Sequence, residues 1–130
     1  MSFQFSRRLA IVFGILLPLG ETVRRWGTGG SLWWWLDDYA IGAFLLYGAW
    51  RSGRDLREGQ RFLVGAWAFA CGIGYVSFFS HLEHVAEPDR GHIPHFALTV
   101  IIGSGWVLAI LALLTSLRRL REVSDGKSAQ

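Results

Sequence analysis

FLVGAWAFACGIGYVSFFS, residues 62–80, and FALTVIIGSGWVLAILALLTSL, residues 96–117, each run their whole length without a charged side chain. Apolar runs of about 20 residues are the length that crosses the roughly 30 Å hydrocarbon core of a bilayer as a helix. The pair therefore predicts two membrane spans. Upstream, residues 32–50 read the same way, and so does the shorter run over residues 8–23, which Pro18 interrupts. The first run also has the outline of a signal peptide, with Arg7 and Arg8 before an apolar stretch from Leu9 to Leu19. No small-x-small cleavage site follows it, so it reads as an uncleaved helix with a proline bend. The expected fold is all-α: an antiparallel up-down-up-down bundle of four transmembrane helices within residues 1–120. Residues 121–130 read as a polar cytoplasmic tail.

Composition agrees. The chain has 130 residues, 52% of them hydrophobic and 15% aromatic, with seven tryptophans. A domain of this size has too little interior to bury that much apolar surface, so lipid is the expected cover. Cys71 is the lone cysteine and sits in an apolar run, which excludes an intrachain disulfide and a thiolate metal cluster. The net charge of +3 does not suggest a nucleic-acid partner, because the basic residues lie in short groups beside the apolar runs. Twelve arginines against one lysine, with no asparagine, are the usage of a GC-rich bacterial genome.

Those arginines orient the bundle. Arg7 and Arg8 precede the first span, Arg51, Arg54, Arg57 and Arg61 lie between the second and third, and Arg118, Arg119, Arg121 and Lys127 follow the fourth. In a four-span chain they share one side, against Arg24, Arg25 and Arg90 on the other. The positive-inside rule then puts both termini in the cytoplasm and the loops around residues 24–31 and 81–95 outside, in a bacterial inner membrane. Trp33, Trp34 and Trp35, with Trp26 nearby, read as an outer interfacial anchor and Trp50 as an inner one.

The outer end collects the chemistry. Glu21, Asp37, Asp38, Glu83, Glu87 and Asp89 are there, with all four histidines: His81, His84, His92 and His95. Each predicted helix also carries a stripe of small or polar residues at spacings of three and four, the kind that membrane helices turn toward one another. The stripes are Gly14, Pro18, Glu21, Arg25; Asp38, Gly42, Leu45, Ala49; Ala70, Gly74, Ser77, His81, His84; and His92, His95, Thr99, Gly103. If all four face inward, their outer thirds converge on one pocket.

Two readings of that pocket stand side by side. In the first, the HxxH pairs His81/His84 and His92/His95 ligate a transition metal, zinc or iron, while Glu21, Asp37 and Asp38 serve as oxygen ligands or acid/base groups. Such a protein would be a metal-binding membrane protein or a metal-dependent enzyme. In the second, Arg24 and Arg25 clamp Asp37 and Asp38, or Glu21 one turn away, and the chain is a non-enzymatic membrane subunit or scaffold. A b-type haem between the third and fourth helices is a third reading, opposed by the acids that crowd the histidines. Partners expected under any of them are the bilayer and a second membrane protein or a further copy of this chain.

Overall fold

A computed structural model describes residues 3–27, 33–87 and 93–126, apart from the side chains of Phe3, Trp34 and Trp35. Among the described residues there are four α-helices and no strand: α1 (Phe3–Arg25), α2 (Trp33–Arg51), α3 (Leu56–Glu83) and α4 (His95–Ser124). Each helix packs on its neighbour in sequence, and α1 closes the ring against α4 over a shorter stretch. Contacts at the two ends show the alternating direction. The start of α1 meets the end of α4 through a Ser6–Ser116 hydroxyl pair at 2.6 Å, whereas the end of α1 meets the start of α2 through Thr22 and Tyr39 at 2.7 Å.

The helices run past the apolar stretches that reveal them. The third starts at Leu56, six residues before Phe62, because Asp55 caps it: its side chain accepts from the Glu58 backbone N–H at 3.1 Å. Asp55 and Glu58 have the spacing of a capping box, which ends the turn after α2 at once. The fourth continues through Ser124 into the polar segment, where Arg119 and Glu122 pair across one helical turn at 3.0 Å.

Large apolar side chains lie on the outside of this ring and small ones inside. Leu16, Val76, Ile101 and Phe96 are all exposed, while the core is mostly alanine around Ile41, Leu45, Leu63 and Trp67. Polar groups are buried with them. At the arginine-rich end Trp67 Nε1 donates to Ser6 Oγ at 3.0 Å, and Gln60 Nε2 donates to the Ser116 carbonyl at 2.9 Å. Arg7 Nε caps the Ala49 carbonyl at 3.0 Å. These bonds tie all four helices together at one end.

The tightest crossing joins α1 to α2. Pro18 has no N–H to give the Gly14 carbonyl, and Gly42 fits against both: a Cβ on Gly42 would lie 2.7 Å from Pro18 Cγ and 2.8 Å from Gly14 O. By length and composition α3 and α4 are long and apolar enough to cross a membrane; α1 and α2 fall short by that standard. The shortfall has a plain cause. Arg7, Arg8, Glu21, Arg24 and Arg25 charge both ends of α1, and Asp37 and Asp38 lie inside a shorter α2.

Candidate functional site

Between the helices, in the halves away from the Ser6–Ser116 contact, lies a cavity of about 410 Å³. It is lined by the second half of α1, the first half of α2, the second half of α3 and the first half of α4. Its walls are apolar, among them Phe13, Leu17, Ile73, Ile102 and Trp106. The Trp106 indole is anchored by its Nε1, which donates to the Cys71 carbonyl at 3.0 Å. Ser6 and Ser116 pin α1 to α4 at the opposite end, and the space opens where the two helices are no longer pinned. Leu16 on α1 and Ile101 on α4 both line this space and are 59% and 61% exposed.

The polar pole of the cavity is made by Glu21, Arg24, Asp38 and Ser77. Glu21 is buried, and both of its oxygens are taken. Arg24 donates through Nε to Oε2 and through Nη2 to Oε1, each at 2.9 Å, and Arg25 Nε donates to Oε1 as well. The spacings of three and four place both guanidiniums on the face of the acid, so the clamp forms within one helix. Asp38 is half-buried, and among the described residues it has no hydrogen-bond or ion-pair partner. The charged groups within electrostatic reach of it are Glu21, Arg24, Asp37 and Arg25.

The sequence-predicted site therefore divides. Glu21 and Asp38 meet at the cavity, whereas Asp37, one step round α2, is exposed and does not line it. None of the described histidines lines it either. His81 and His84 end α3, and their Nδ1 atoms donate to the carbonyls of Ser77 at 2.8 Å and Ser80 at 2.7 Å, one turn back on the same helix. His84 Nε2 lies 3.9 Å from Glu87 Oε1. His95 opens α4 on the row of Thr99 and Gly103, and Gly103 packs under the ring of Phe78 on α3. That row points to the outer α3–α4 groove, while Leu98, Ile102, Gly105 and Ala109 point into the cavity. His92 lies outside the described residues. Among the described residues no three His, Cys, Asp or Glu side chains form a group able to hold a metal ion.

Sequence reasoning missed two parts of this arrangement. One is the apolar wall itself, which needs the helix rotations to be known. The other is the buried network at the far end, whose members Ser6, Gln60, Trp67 and Ser116 are scattered along the sequence with no shared spacing or motif. Comparison with known proteins adds no relative: no family model matches the chain, and no curated protein or solved structure matches it.

Proposed function

We propose that this chain is a four-span protein of a bacterial inner membrane that holds a hydrophobic small molecule between the outer halves of its helices. The observation that carries the binding role is the cavity of about 410 Å³ with apolar walls and a few convergent polar groups. Small-molecule sites have this character and a volume of roughly 300–1,000 Å³. Leu16 and Ile101, which line it and are exposed on the outside of the bundle, would form its entrance from the lipid side.

The membrane reading rests on the distribution of side chains. Bulky apolar residues outside with Ser6, Gln60, Thr99 and Ser116 buried inside would be costly in water and are natural in lipid. At about 1.5 Å per residue even the shortest helix, α2 with its 19 residues, covers nearly 30 Å. Exposed Trp26 and Trp33 mark the outer border and Trp50, stacked 4.4 Å from the Arg54 guanidinium, marks the inner one.

Photolabelling tests the binding role. Protein in phosphatidylcholine nanodiscs is irradiated with an uncharged long-chain alcohol carrying a diazirine, then digested and mapped. Label is expected on Phe13 and Ile73, which lie inside the cavity. A Cβ on Gly105 has open space with only Phe13 at 3.8 Å, so Gly105→Leu fills the cavity without a backbone clash and should abolish that label. Label confined to outward residues such as Val76 and Val107, identical in the two proteins, would refute the reading.

A further inference from the structure

We infer that the occupant of the cavity is a lipophilic cation, an amine or ammonium head on an apolar tail, with Asp38 as its counter-ion. The inference rests on the binding role just proposed and adds the charge class of the ligand.

The apolar walls accept any tail, so the head is decided by the polar pole. Glu21 already has both oxygens engaged by Arg24 and Arg25, so its charge is compensated within α1. Asp38 lines the same cavity with no hydrogen-bond or ion-pair partner among the described residues. It stands five residues into α2, about 8 Å from the helix start, a depth at which an unpaired acid is unfavourable and marks a functional position. The charges within its reach are three carboxylates and two guanidiniums when Asp38 is counted, and both guanidiniums already face Glu21. An anionic head would meet Asp38 and Glu21 together. A neutral one would leave the Asp38 charge uncompensated. A cationic head on an apolar tail supplies the missing partner while its tail fills the space bounded by Phe13, Ile73, Ile102 and Trp106. Ser77, on the facing helix, lines the same pole and offers a hydroxyl to an ammonium N–H.

Competition against the photolabel separates the ligand class from the binding role. Decylammonium, decanol and decyl sulfate share one tail and differ in head charge. Each is added to labelled nanodiscs at matched mole fraction in the bilayer. The cation is expected to displace label from Phe13 and Ile73 at about one tenth of the decanol mole fraction, the equivalent of about 1.4 kcal/mol. Asp38→Asn should bring the cation and decanol level, while Asp38→Glu and Asp37→Asn keep the preference. A cation no better than decanol in the wild type, or a preference that survives Asp38→Asn, overturns the counter-ion role, and displacement by decanol would still uphold the binding role. Stronger displacement by decyl sulfate overturns the charge class outright. If none of the three displaces the label, the binding role itself fails.

Discussion

Glu21 and Asp38 are both acids at the cavity end of the bundle, yet they hold opposite positions in its energetics. Glu21 is 6% exposed and faces two arginines that are only partly buried. Removing one partner of a fully buried ion pair costs about 3–5 kcal/mol, and the exposure of Arg24 and Arg25 lowers that figure here. Glu21→Ala leaves two guanidiniums side by side, so a loss of about 2 kcal/mol is expected in reversible unfolding from mixed micelles. Asp38→Asn has the opposite sign. It removes a charge that no described residue pairs, and the ligand-free protein should unfold at equal or higher denaturant. Stability given up at a binding group is the usual exchange between stability and function. The sequence showed that acids and arginines share this end, and it showed the within-helix spacing of Glu21, Arg24 and Arg25. It did not show which acid the arginines choose. A pair at i, i+3 or i, i+4 needs only a helix, whereas a pair between helices needs a register that only the packed bundle supplies.

At the scale of the element, three of the four stripes reach the cavity or the core beneath it, and the fourth packs on α3 without lining the cavity. Gly14, Pro18 and Glu21 on α1, Gly42, Leu45 and Ala49 on α2, and Ala70, Gly74 and Ser77 on α3 all face the interior. On α4 two rows of small residues run side by side, one through Thr99 and Gly103 and one through Gly105, Ala109, Ala112 and Ser116. Histidines at the head of the first row made it the attractive choice. The structure packs the first row on α3, with Thr99 buried and Gly103 against Phe78, and turns the second toward the bundle interior, where alanines and Ser116 approach α1 and α3 and meet Ser6 and Gln60. A step of about 100° per residue separates the two rows, enough to take His95 away from the cavity. Small-residue motifs are equally ambiguous until helices are packed. Ala68 and Gly72 look like an interface but face outward, and a Cβ on Gly72 meets nothing within 4 Å. Gly42 is the one that matters. Gly42→Ala should cost about 1–3 kcal/mol, since both the Pro18 ring and the Gly14 carbonyl stand in the way and backbone must move. Gly72→Ala should be neutral or slightly stabilising, as expected for glycine replaced in an open helical position. Unfolding of the two variants in the same micelles checks the contrast; equal effects would mean that the α1–α2 crossing is not set by this notch.

For the whole molecule, the question is how many helices cross the membrane, and the charges on α1 and α2 make it a fair one. The pair α3 and α4 would span on composition alone. If only they did so, α1 and α2 would lie on the cytoplasmic side, and the apolar faces of Ile11, Ile15, Leu19 and Leu46 would stand in water. The bundle offers a better solution. On the four-span proposal hydrocarbon meets few of its charges: the Arg7 guanidinium caps the Ala49 carbonyl near one end, Glu21 is neutralised by Arg24 and Arg25 near the other, and Asp38 faces the cavity. This disposition supports the proposal of four spans with both termini inside. Cysteine accessibility reads this directly in a Cys71→Ala background. Trp26→Cys at the end of α1 and Ala86→Cys after α3 should react with a membrane-impermeant maleimide on intact cells stripped of their outer membrane. Arg57→Cys and Ser124→Cys should react only after permeabilisation. A two-span arrangement predicts a different pattern, with Trp26→Cys protected until permeabilisation and Ala86→Cys still open. That single difference at Trp26 distinguishes a four-helix bundle that encloses a lipid-side cavity from a hairpin carrying a second hairpin on its inner face. In the latter case the cavity would have no bilayer from which to draw an apolar ligand.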